Sequence, residues 1–395
     1  MRLTEKHTIL FVLILFIILG CKKSSSAPDN TDEEPQEVII IPDTTFSVNS
    51  GSELNDEFWQ NVQTALNDGH VMVRFAVGEY MLTSTITVEN MGHDENLLML
   101  QAERSGSVIF EGEIANLLDL RNCKNVRVRG FKFTGDATGY AMRVVNSQRI
   151  SIETCYFQDL PAVGYGALGV HQSSTDDIVV KGSRFERVGY DSHAHMIYAA
   201  YGVNRLSIIS NYFKDCSGSF VRFRGDLSDK GVVYNNDFIS TGNYLTGINP
   251  VFIEIPVFND VNPGDERMGT NFLVTKNTFS YGNMGNQSTR YAMVFHSSGF
   301  NPSDRNYLIS VADAEKLTNG TPAEKQSVMQ TQLGLNADKI LFGGNANINV
   351  AHNVLYRAWN NYGSAGPWTG IADIESAIAS PDEITTEEEA INFYK

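Results

Sequence analysis

Apolar and polar residues alternate over short stretches through the middle of the chain, the period of strands half-buried against a core. The stretches themselves repeat. An apolar strand, a small or polar residue and then an aromatic recur at 126–133, 150–157, 178–185, 206–213, 232–238 and 272–279, with one more unit at 348–355. The closing residues Phe133, Phe157, Phe185, Phe213, Phe238 and Phe279 are 24, 28, 28, 25 and 41 residues apart. A period in the twenties, with two or three short strands per period and no helix between them, predicts an all-β solenoid. Coils stacked at the inter-strand spacing of about 4.8 Å would pile these phenylalanines into one interior column. A propeller needs longer, four-stranded blades, and a leucine-rich repeat needs a leucine ladder that is absent. Ahead of the repeats, Phe58, Trp59, Val62, Ala65 and Leu66 have helical spacing and are expected to cover the open first coil.

A second strand lies between successive units, at 141–145, 167–171, 196–200, 220–224, 252–256 and 292–296. In this register the columns Met142, Leu168, Ile197, Val221, Ile253, Met293 and Val144, Val170, Ala199, Phe223, Ile255, Phe295 are apolar and point inward. Strand side chains alternate, so the columns between them face out. They hold Arg143, Tyr198, Arg222 and Glu254 in one, and His171, Arg224 and His296 in the other, with Tyr190, Asp191, His193 and His195 approaching from the preceding turn. Four of the eight histidines thus fall on or beside one face, together with three arginines. The neighbours Arg222 and Glu254 also suit a cross-strand ion pair, but the mixture of Arg, Tyr and His marks a candidate carbohydrate groove.

Such a face suits β-elimination on a uronate polysaccharide. Removing the proton beside a carboxylate leaves negative charge on that carboxylate, so the site needs a base and a cation. Arg222 or Arg224 would neutralise the carboxylate, in bidentate fashion, and Tyr198 or His195 would be the base. Tyr198 would need cations close by, which the arginines supply. Arg143, His171, His193, Glu254, His296 and Lys230 are expected to contact substrate.

The ends of the chain add a location. Arg2 and Lys6 precede an apolar run at 9–19 that closes on Gly20 and Cys21, the anatomy of an export signal over 1–20. Residues 18–21 resemble the lipobox of bacterial lipoproteins, which implies a lipid on Cys21 and a place in the cell envelope, anchored to the outer membrane. Residues 21–45 read as a polar tether, 46–360 as the solenoid with an insertion at 300–343, and 361–395 as a solvated acidic helix or disordered tail. A formal net charge of −16 excludes nucleic acid as a partner. Cys123, Cys155 and Cys216 are odd in number and are expected as buried free thiols. The turn at 258–267 carries oxygen ligands of the kind calcium takes, at a spacing that matches no defined loop.

Residues 65–69 (Ala-Leu-Asn-Asp-Gly) followed by the strand at 71–80 resemble the capping helix and first strand of the pectate-lyase-like superfamily, and the resemblance runs over roughly 55–300. It implies a right-handed parallel β-helix with an N-terminal capping helix. That superfamily includes polysaccharide lyases, glycoside hydrolases, epimerases and adhesins. The stretch 220–225 (Phe-Val-Arg-Phe-Arg-Gly), with Asn235, Asn236 and Phe238 after it, is similar to the arginine strand of the alginate lyase and chondroitinase B group. That group sets a lysine base on the coil before, commonly with calcium; here that coil holds His195 to Tyr198, and Lys230 follows in the next turn. A hydrolase would need two carboxyl groups, for which Glu254 with Asp226 or Asp260 are the candidates, without the close-set acidic triplets of β-helix polygalacturonases. An epimerase or a non-catalytic glycan binder stays open, and a polysaccharide lyase is the leading expectation.

Overall fold

The computed structural model describes residues 40–224, 228–244, 251–258, 272–281, 293–298, 305–307, 321, 348–351, 354–357 and 384–395. Their strands form three sheets of ten, nine and nine strands, and neighbours within each sheet come from successive coils. All described pairings are parallel except that of Arg305–Tyr307 with Met293–Ser298. One coil reads Tyr140–Val145 in sheet C, Gln148–Glu153 in sheet A and Tyr156–Leu160 in sheet B, before Gly166–His171 returns to sheet C. This is the parallel β-solenoid that the repeat predicts.

The corner between sheets A and B explains the small or polar residue of the repeat. Its first position is left-handed on every coil from Gly130 (φ 80°) through Thr154, Gly182, Ser210 and Asn235 to Lys276 (φ 56°), which lets two residues turn the chain. The next residue points in and must satisfy backbone groups that no strand partner reaches. Asn211, Asn236 and Asn277 do so as a ladder: Asn211 Nδ2 donates to Asn236 Oδ1 at 3.1 Å, and Asn236 Nδ2 to Asn277 Oδ1 at 2.9 Å. Each side-chain oxygen also accepts a backbone N–H from the coil before, at 2.8 to 3.0 Å.

Sheet B carries the aromatic column in the expected register, Phe133, Phe157, Phe185, Phe213, Phe238, Phe279 and Leu355 being successive partners. From Phe133 to Phe238 the rings stack at 4.6 to 4.9 Å, the strand spacing imposed on side chains. The 41-residue interval before Phe279 therefore does not break the register. Cys123, Cys155 and Cys216 are buried free thiols, and burial pushes them up to about 11, 12 and 12.

Helix Asp56–Asp68 starts at Asn55, whose side chain accepts from Phe58 N at 2.9 Å. Its Val62 and Leu66 are buried in the same core as Val48, Val71 and Val73. The described end of the C-terminal segment, 384–395, is partly buried. Helix Glu387–Asn392, capped by Thr386, buries Ala390 against Ile209, Val232, Tyr234 and Leu273 on the outside of sheet A, and Glu387 pairs with Lys181 at 2.7 Å. Apolar outward positions on those coils supply the reason, one that charge content alone hides. Residues 1–39, with Cys21, lie outside the described residues, as do the turn at 259–271 and nearly all of 300–343.

Candidate active site on the outer face of sheet C

Sheet C has the register expected from the alternation. Asp119, Arg143, Gly169, Tyr198, Arg222 and Glu254 are successive partners in one outward column. His171, Ala200 and Arg224 are successive partners in the other, and the backbone of His296 pairs with Pro256. Facing out is not the same as being exposed, however: Tyr198 is 5% exposed, His171 8% and His195 1%. The rings bury one another. His171 meets Tyr140 edge-on at 5.0 Å and Tyr198 at 5.6 Å. Gly169 makes room for this, since a Cβ there would lie 2.7 Å from both His171 Nε2 and the Tyr140 ring.

His195 is the first residue of strand His195–Ala200 rather than part of the turn, and its ring closes a circuit of four side chains. Arg222 Nη1 lies 2.9 Å from His195 Nε2. An arginine has only donors, so Nε2 accepts and the imidazole proton sits on Nδ1. Nδ1 is 2.9 Å from Ser219 Oγ and 3.2 Å from the Ser219 carbonyl. Ser219 Oγ donates to Glu254 Oε2, which is 3.3 Å from Arg222 Nε. Burial first, and then the Arg222 charge, lower His195 to about 3. It is a neutral imidazole with both nitrogens engaged, which suits holding Arg222 in place and does not suit taking a proton from substrate. Nor is Ser219 set up as a nucleophile: its hydroxyl proton is committed to Glu254, and the nitrogen beside it carries a proton.

Tyr198 stands differently. Its hydroxyl accepts from Arg224 Nη1 at 3.3 Å, and the same nitrogen donates to Tyr201 OH at 3.2 Å. The Arg222 guanidinium lies 5.7 Å from the Tyr198 ring centre, so two cations converge on one phenol. His171 is lowered to about 4, by burial first and the Arg143 charge second, and its Nε2 has no hydrogen-bond partner among the described residues.

The other expected residues separate into groups. Arg143 is tied to the fully buried Asp119, at 2.6 Å, and shares it with Arg121, also at 2.6 Å. Leaving that carboxylate unpaired would be costly, so Arg143 has a structural duty. His193 is exposed, 3.6 Å from Asp191 in the turn. Lys230 occupies the corner leading out of the sheet, left-handed at φ 57°, and does not join the circuit. The side chain of His296, and Asp226 and Asp260, lie outside the described residues. Sequence reasoning missed Ser219, Asp119, Tyr140, Gly169 and Tyr201. Asp119 could have been found by extending the outward column one coil back, and Gly169 by its place as the only glycine in that column. Among the described residues no group of three or more His, Cys, Asp or Glu is placed to hold a metal ion.

Fold and site together define a three-sheet parallel β-helix with an Arg/His/Tyr/Glu cluster on one outer face. No family model matches the chain, and no curated protein does. Solved structures of similar shape include an alginate lyase from Paenibacillus sp. str. FPU-7, at 14% identity over 66% of this chain and 96% of that one with a TM-score of 0.41. The A-module of the Azotobacter vinelandii mannuronan C-5 epimerase AlgE4 matches at 11% identity over 65% and 93%, TM-score 0.32. PfbA, a surface adhesin of Streptococcus pneumoniae, matches at 12% identity over 64% and 89%, TM-score 0.30. The architecture of this chain rests on its own strand pairing.

Proposed function

We propose that this protein is a polysaccharide lyase that cleaves a uronate-containing polysaccharide by β-elimination on the outer face of sheet C. The observation that carries the reading is the Tyr198 hydroxyl under the Arg224 guanidinium, with Arg222 at the same register one coil on. A guanidinium donating to an oxygen stabilises negative charge there, so Tyr198 serves as the base. It takes the proton from the carbon bearing the carboxylate. The electron pair left behind forms a double bond to the neighbouring ring carbon, the bond from that carbon to the glycosidic oxygen breaks, and the departing oxygen takes up a proton. Arg222, oriented by His195 and Glu254, faces the carboxylate on which charge accumulates. No step calls on calcium.

The burial of Tyr198 favours a second reading, a glycan-binding face without chemistry. Incubation with alginate, polygalacturonate, chondroitin sulfate and hyaluronan separates the two. Elimination produces an unsaturated uronate and its ultraviolet absorbance, and reducing ends without absorbance mean hydrolysis; binding with neither leaves the second reading when the uronate composition of the recovered polysaccharide is also unchanged. Returning the proton without bond cleavage would be epimerisation. The proposal extends to the chain's setting: residues 1–20 direct export, Cys21 carries lipid, the protein sits in the bacterial envelope, and helix Asp56–Asp68 caps a right-handed coil. Metabolic labelling with a fatty acid, lost in Cys21→Ser, tests the anchor.

A further inference from the structure

Five large apolar side chains are strongly exposed among the described residues: Ile41, Val77, Met81, Tyr165 and Tyr190. The two aromatic ones both lie in turns that lead from sheet B into sheet C, on successive coils, Tyr165 just before strand Gly166–His171 and Tyr190 ahead of strand His195–Ala200. The Tyr165 backbone is held on both sides, and so is the residue before Tyr190. Tyr165 N donates to Gly139 O, and Tyr165 O accepts from His195 N at 3.0 Å. Beside Tyr190, Gly189 donates to Leu160 O at 2.9 Å and accepts from Tyr244 OH at 2.9 Å. The Tyr165 ring stacks on Tyr140 at 5.8 Å and 24°, and Tyr140 packs on His171, which meets Tyr198. An unbroken run of rings therefore joins the exposed Tyr165 to the candidate base.

We propose that Tyr165 and Tyr190 form a sugar-stacking subsite across the turns that lead into sheet C, holding a pyranose unit of the polysaccharide next to the unit that reacts. A tyrosine ring offers an apolar face to the C–H side of a pyranose while its hydroxyl stays in water. Coils are spaced by about 4.8 Å, so the two turns run side by side, with Tyr165 at the sheet C end of its turn and Tyr190 at the sheet B end of the next. The Tyr165 ring, held against Tyr140 before the ligand arrives, loses little freedom on binding. The inference rests on the proposed lyase reading, and its test keeps the two apart.

Tyr165→Ala, Tyr190→Ala and the double variant are assayed on whichever of the four polysaccharides above the wild-type protein cleaves or binds, with Tyr165→Phe and Tyr190→Phe as conservative controls. Both side chains are exposed, so the melting temperature should stay at the wild-type value. The expected result is a KM, or Kd, raised about tenfold for each alanine, kcat unchanged, and recovery in the phenylalanine variants. A double alanine variant with wild-type KM overturns the subsite while leaving the lyase reading intact. A change confined to the oligomeric state overturns it too, by making the tyrosines a contact between copies. If the wild-type protein neither cleaves nor binds any of the four, both readings fall.

Discussion

Acid should destabilise this protein well above the pH at which its carboxylates titrate, through two buried histidines. His171 and His195 are kept neutral in the fold, at about 4 and about 3, against about 6.5 in an unfolded chain. The unfolded state therefore binds more protons than the folded one below about pH 6.5, and stability falls as pH drops toward the folded values. Integrated from pH 7 to pH 5, each histidine removes about 2 kcal/mol, and the pair about 4 kcal/mol. Paired carboxylates such as Asp159, held below the usual range by a hydrogen bond from Arg187, begin to lose their share only below about pH 4, so the window isolates the imidazoles. Urea midpoints followed by circular dichroism at pH 7, 6 and 5 measure the effect. His171→Phe separates the two groups: among the described residues His171 Nε2 has no partner to lose, so the variant should match wild type at pH 7 and show half its acid slope. A midpoint that stays flat between pH 7 and 5, or a variant with the wild-type slope, would refute the reasoning.

Two further substitutions probe the frame and the circuit. Asn236→Leu strips the acceptor from Asn211 N and the donor from Ile208 O, while Asn211 Nδ2 keeps Val180 O and Tyr234 O keeps Ser210 N; at about 1–3 kcal/mol for each of the two groups that lose this partner, the loss should be about 2–6 kcal/mol in urea denaturation, and an unchanged midpoint would dismiss the ladder as a stabilising element. Glu254→Gln should loosen Arg222 and lower kcat about 10²-fold with the fold intact, read from initial rates beside a circular dichroism spectrum.

The solenoid was legible because its physics repeats. Each coil must place an aromatic at the same interior position and an alternating strand on sheet C, so Phe133 to Phe238 and the Arg143–Glu254 column could be read from spacing alone. Alternation states which way a side chain points but not what lies over it, and so Tyr198 and His171 could be placed on the outer face without their burial being visible. His195 was misplaced by one structural step, into the turn, because its neighbours Ser192 and His193 look like turn residues and the strand begins directly after Ala194. Ser219 has no pattern of its own; it matters only because His195 and Glu254, from the coils on either side, meet at its hydroxyl. The docking of helix Glu387–Asn392 is likewise tertiary, a match between Ala390 and an apolar patch far away in sequence.

The central claim is that Tyr198 takes a proton from a uronate held at Arg222, and the most direct measurement is the ultraviolet appearance of unsaturated uronate with wild type and Tyr198→Phe side by side. The claim predicts product from the wild-type protein and a kcat lower by about 10²- to 10⁴-fold in the variant, with KM and melting temperature close to wild type. Full kcat in Tyr198→Phe would contradict it.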